Sequence, residues 1–195
     1  MQVTSTKIFG DYYNQDSDSQ EYLIINFSPG YIPRNSRWRN NGISADFLGD
    51  YFATFFPGDE IPGSKIGKQE TVKGSVSFIA NELLENAMKY SLADSNLPIS
   101  ISLYMYNEKL VFVVTNHVSL ATAENYQAYI KELLSSDPDE MLTNRLMKAG
   151  LENNSSGVGL LTIVNDYAAK LGWKFEKLVH PIDVLKLTIT IQLEV

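Results

Sequence analysis

The residues best suited to chemistry lie in the segment Asn81-Glu82-Leu83-Leu84-Glu85-Asn86-Ala87-Met88-Lys89-Tyr90-Ser91. Glu82 and Asn86 stand four apart, so a helix sets them on one face, and Lys89 follows three residues later on the same side. A carboxylate in that strip can polarise a hydroxyl or a water. An amide oxygen can ligate magnesium, and a lysine can hold phosphate. The same strip also reads as the solvated flank of an amphipathic helix, because Val72, Val76, Ile79, Leu83 and Ala87 form an apolar stripe beside it. A second group, Ser155-Ser156-Gly157-Val158-Gly159-Leu160-Leu161, places glycines at a turn that opens a helix. Free amides at such a start attract phosphate, although Gly-X-Gly equally marks an ordinary tight turn.

These groups need elements to position them. The apolar stripe predicts a helix that ends near Lys89. An earlier helix is expected over residues 44–56, with Ser44 as N-cap and Pro57-Gly58 as stop. Its aromatic cluster, Trp38, Phe47, Phe52, Phe55 and Phe56, is expected to fill core, and any exposed part would suit a protein interface. Arg34, Arg37 and Arg39 read as a solvated loop. Two N-terminal strands flank a polar stretch at residues 14–19, the second spanning residues 20–27. Pro98 opens a hairpin of alternating Ile99, Ile101, Leu103 and Met105, a turn at Asn107-Glu108-Lys109, and a return strand at residues 110–115. Two helices without neighbouring strands follow. The second starts with Asp137 as N-cap, Pro138 at the first turn and Glu140 three residues after the cap. A helix over residues 158–171 closes at Gly172, and strands over residues 173–178 and 184–193 flank His180-Pro181-Ile182-Asp183. The sum is an α+β two-layer sandwich, a sheet with helices on one face.

Composition narrows the classes. The 195 residues carry a net charge of −7, so a nucleic-acid partner is not expected. With no cysteine there is no disulfide framework, thiolate nucleophile or cysteine-held zinc. The apolar runs are far too short for a membrane span, and no basic-then-apolar leader opens the chain, so a cytoplasmic protein without a membrane partner is expected. His117 lacks neighbours at metal-ligand spacing, and Asp137-Pro138-Asp139-Glu140 fits a helix cap better than a calcium loop.

Taken in order, the two groups resemble the boxes of an ATPase superfamily that unites gyrase, a heat-shock chaperone, histidine kinases and mismatch-repair proteins (GHKL). The segment from Glu82 to Ser91 is similar to its N box, and Gly157-Val158-Gly159-Leu160 to its second glycine box. The resemblance spans residues 40–194 and implies a Bergerat-type mixed sheet. It also implies one domain over residues 1–195, with N-terminal strands in 1–35, an ATP-binding core in 36–195 and a lid-like insert at 117–156. By the same motifs it implies ATP and Mg2+ as cofactors, Glu82 as general base and Asn86 as magnesium ligand. Lys89 and Tyr90 would face the phosphates, Gly157 and Gly159 would shape the lid hinge, and Val158 and Leu160 beside them would join the cofactor-binding residues.

Small single-domain members imply an anti-sigma-factor kinase, phosphorylating serine or threonine on a partner such as an anti-sigma-factor antagonist in a bacterial partner-switching circuit. The resemblance leaves room for a homodimer. An autophosphorylating sensor kinase is not expected, because His117 and His180 are the two histidines and neither lies on an expected helix. One departure stands out. Where the family carries Asp-X-Gly-X-Gly, whose aspartate binds the adenine amino group, this chain has Asn116-His117-Val118-Ser119-Leu120. Asn116 keeps an acceptor oxygen for that amino group but loses the charge-assisted part of the bond. Val118 stands where glycine would let the base lie close. An alternative expectation follows from that loss: a degenerate module that docks proteins and binds no nucleotide.

Overall fold

A computed structural model describes residues 2–14, 18–28, 34–58, 67–92, 97–152, 157–179 and 183–195. Expectations about Ser155-Ser156 and the connection at His180-Pro181-Ile182 lie outside those residues, as does part of the polar stretch at 14–19. The chain runs β1 (Val3–Gly10), β2 (Glu21–Phe27), α1 (Arg34–Ala53), α2 (Lys68–Tyr90), β3 (Ile99–Met105) and β4 (Lys109–Ser119). It continues α3 (Leu120–Ser135), α4 (Pro138–Glu152), α5 (Val158–Tyr167), β5 (Lys170–Leu178) and β6 (Val184–Glu194).

The strands form one six-stranded sheet in the order β1-β5-β6-β4-β3-β2. The α+β class is as expected. Every described pairing is antiparallel, where a mixed sheet was expected. Direction follows from connectivity: β3–β4 is a tight hairpin, and a short connection likewise returns β5 onto β6. The period-2 alternation of β3 sends Ile99, Ile101 and Leu103 into the core. There they meet the α2 stripe of Val72, Val76, Ile79, Leu83 and Ala87, widened by Ala80, Leu84 and Met88. On the other face, Tyr13 N–H donates to Thr190 Oγ1 at 3.1 Å, so the chain after β1 crosses the sheet there.

Several boundaries depart from expectation. Helix α1 begins at Arg34, so Ser44 is interior and Arg34, Arg37 and Arg39 belong to the helix. Arginine is a good helix former, and the missing apolar period around Asn40, Asn41 and Gly42 hid that first half. In the aromatic cluster Phe52 is fully buried, while Phe47 and Phe55 stay exposed.

Strand β4 continues through His117, Val118 and Ser119 because β6 is long enough to pair with each of them. The insert therefore begins at Leu120 rather than at 117, capped by Ser119 Oγ, which accepts from Thr122 N–H at 3.1 Å. Helix α5 stops at Tyr167, with Ala168 left-handed at φ 48°, rather than running to Leu171. Gly172 is consequently no helix cap. It lies within β5, where the backbone of Tyr12 presses against the space a β-carbon would need. The expected cap of α4 is present, Asp137 Oδ1 accepting from Glu140 N–H at 3.0 Å.

Candidate functional site

One cavity of about 380 Å³ opens where the C-terminal half of α2, the end of β4, helices α3 and α4 and the start of α5 converge. From α2 it takes Asn86, Ala87 and Tyr90, and from β4 Asn116 and Val118. Gly157 and Leu160 line it at the start of α5, and Leu187 and Ile189 of β6 form its apolar floor. Asn86, Asn116 and Gly157, separated by about thirty and forty residues in sequence, thus line the same cavity.

Asn116 is 1% exposed and tied to the end of α2. Its side-chain NH2 donates to Ala87 O at 3.4 Å and to Ser91 Oγ at 3.2 Å. Beside it, Leu92 N–H donates to His117 O at 2.7 Å. The donor end of the Asn116 amide is therefore spent on the end of α2.

The side formed by α3 and α4 is aromatic. Tyr90 stacks on Tyr126 with centroids 6.4 Å apart, and Tyr126 stacks on Tyr129 at 6.0 Å. The Arg145 guanidinium of α4 lies over Tyr129, 4.5 Å from its centroid, and Arg145 pairs with Glu132 at 3.7 Å. Tyr126 accepts from the indole N–H of buried Trp173 at 3.1 Å, and Tyr129 donates its hydroxyl to Gly157 O at 3.2 Å. Burial pushes both phenols above their usual range, so neither ionises near neutrality and both act as neutral donors and acceptors.

The two glycines of the turn do different things. Gly157 adopts φ 86°, a left-handed conformation that glycine enters without strain, and a β-carbon there would come 2.7 Å from Arg145 Nη1. Gly159 is needed for another reason: the Glu82 carboxylate occupies the space of its missing side chain. Glu82 is half-buried one turn before Asn86 and does not line the cavity. Burial first, and Glu85 second, push its carboxyl above the ordinary carboxylate range. That is the direction a proton acceptor near neutrality needs.

Of the other residues singled out in the sequence, Tyr90 and Leu160 line the cavity. Val158 begins α5 without reaching the wall. Lys89 is exposed, its ammonium 5.2 Å from the Tyr90 ring centroid. The sequence reading did not single out Tyr126, Tyr129 or Arg145. The three-residue spacing of the tyrosines on α3 was a usable signal for a shared face. Nothing local announced Arg145, which reaches the site only because α4 lies across it.

No family model and no curated protein matches this chain. A solved structure does. A chain of the SiaB–SiaC complex from Pseudomonas aeruginosa matches with a TM-score of 0.54 at 14% identity, over 89% of each chain. At that identity the likeness establishes the α+β fold. Among the described residues no helix is long and apolar enough to cross a membrane, and no three His, Asp or Glu side chains gather as a metal site.

Proposed function

We propose that this protein binds magnesium–ATP in the cavity and phosphorylates serine or threonine on a partner protein in a bacterial partner-switching circuit. The observation that carries this reading is the convergence of Asn86, Asn116 and Gly157 on one cavity. The cavity volume falls within the ~300–1,000 Å³ of small-molecule sites. Magnesium is commonly held by one or two carboxylates together with waters and substrate phosphates, and here the Asn86 amide oxygen would stand in the carboxylate's place. Bound ATP would supply the phosphoryl group. Glu82 would take the acceptor hydroxyl's proton, the Asn116 oxygen would receive the adenine amino group, and the amides following Gly157 would face the phosphates. The structural neighbour comes from a complex of two proteins, which supports a protein partner here, of the anti-sigma-factor-antagonist type that the motif resemblance implies.

A second reading, a docking module without nucleotide, draws on the engaged NH2 of Asn116 and on Val118 in the cavity wall. Calorimetry with MgATP separates the two. Heat that Asn86→Ala diminishes and Glu82→Gln preserves supports the first reading. Glu82→Gln should then slow phosphorylation of a serine-bearing partner by ~10²–10⁴-fold, the usual worth of general-base assistance. No heat at millimolar nucleotide would leave the docking module.

A further inference from the structure

We infer that the cavity reads the sugar of its nucleotide, and that Asn125 of α3 is the residue that hydrogen-bonds the ribose hydroxyls. The inference rests on the nucleotide reading above and concerns a residue to which the motif resemblance gives no role. Thr122, Asn125, Tyr126 and Tyr129 all line the cavity, at positions i, i+3, i+4 and i+7 of one helix. A single stripe of α3 therefore brings a hydroxyl, an amide and two phenols to the site. The floor, from Leu187 and Ile189, is apolar. A base can lie on such a floor, but a sugar diol would leave its hydroxyls unpaired there and needs the polar stripe.

The stripe has a direction. Helix α3 begins at Leu120, four residues beyond Asn116 of β4. Further along, Tyr129 donates its hydroxyl to Gly157 O at 3.2 Å and carries the Arg145 guanidinium over its ring. Among the described lining residues Arg145 bears the only formal charge, so the phosphates belong at that end and the base at the Asn116 end. From Thr122 to Tyr129 the helix rises about 10 Å, close to the length of a nucleoside. Asn125 lies midway, where the sugar falls. The other three side chains of the stripe are already engaged. Thr122 Oγ1 lies 2.9 Å from Ser119 Oγ, the Tyr126 hydroxyl accepts from Trp173, and Tyr129 donates to Gly157. Among the described residues no protein group takes the Asn125 amide. A carboxamide sets a donor and an acceptor side by side, and a vicinal diol answers both, so this one side chain can hold the 2′ and 3′ hydroxyls together.

Calorimetric titration with MgATP and with its 2′-deoxy form tests this. The parent should bind MgATP about threefold to tenfold more tightly, the worth of one neutral hydrogen bond. Asn125→Ala should bind the two forms equally, and more weakly than the parent binds MgATP. Asn125 is exposed, and alanine is the better helix former, so the variant should melt no lower than the parent. Glu124→Ala, also exposed on α3 but outside the cavity lining, should keep the preference. A parent that binds both forms equally, an Asn125→Ala variant that still prefers MgATP, or a preference that Glu124→Ala also erases would each overturn the inference and leave the nucleotide reading standing. No heat from either form at millimolar concentration would remove both.

Discussion

Glu82 carries a cost that a titration can expose. Its half-buried carboxyl binds a proton more tightly folded than unfolded, because burial and Glu85 both disfavour the charged form. Stability therefore falls as pH rises through the ordinary carboxylate range toward the raised folded value, and above it the loss remains in full. Below that range the carboxyl is neutral in both states and the loss vanishes. Glu82→Gln should then melt above the parent near pH 7.5 and converge with it near pH 4. A gap that does not change with pH would show that the Glu82 charge costs nothing in the fold. At this scale the sequence was informative where one helix carries the pattern. Glu82, Asn86 and Tyr90 lie on the helix their spacing announced, and Asn86 and Tyr90 line the cavity. The match of Gly159 to Glu82 was hidden, since seventy-seven residues separate them and only the fold brings them together.

The insert is two elements with different anchorage. Helix α3 buries Ala123, Ile130 and Leu133, and its Tyr126 hydroxyl receives the indole N–H of Trp173 from β5. Helix α4 is fixed at its start, where Asn165 of α5 donates to Pro138 O at 3.2 Å, while Leu146 and Met147 further along are 52% and 65% exposed. From sequence, the 117–156 insert reads as one lid-like segment, because nothing local reports a tie to Trp173, 47 residues beyond Tyr126. Hydrogen exchange should instead find α3 protected nearly as well as the β3–β4 hairpin, with protection falling along α4 toward Glu152. Equal protection along both helices would contradict this. Tyr126→Phe tests the anchor itself. The ring and its stacking remain, but the indole N–H of the fully buried Trp173 loses its acceptor, at a cost of about 1–3 kcal/mol by denaturant titration. A neutral substitution would mean the anchor lies in packing rather than in the hydrogen bond. The boundaries that escaped sequence reading have similar causes. Strand β4 is extended by the length of β6, and α5 is ended by the left-handed Ala168, a residue type with no preference for that conformation.

Across the whole molecule, strand order is what local pattern could not supply. β1 and β2 are neighbours in sequence yet occupy opposite edges of the sheet, and the last two strands sit between β1 and β4. That order carries β6 under the cavity, so the site is walled by elements from α2 through β6 and should melt with the fold as one unit. A ligand held there and absent from the unfolded chain must stabilise the entire domain. At a hundredfold excess over its dissociation constant it adds about 2.7 kcal/mol. A domain of this size shifts by roughly 2–4 °C per kcal/mol, so MgATP should raise the melting temperature by roughly 5–10 °C. The shift should grow with nucleotide concentration. Asn86→Ala should reduce the part that depends on magnesium while leaving the nucleotide-free transition near that of the parent, because Asn86 is only partly buried where it lines the cavity. A melting temperature indifferent to millimolar MgATP, in a chain that still unfolds cooperatively, would remove nucleotide from the account of this cavity and leave the docking module as the reading of the fold.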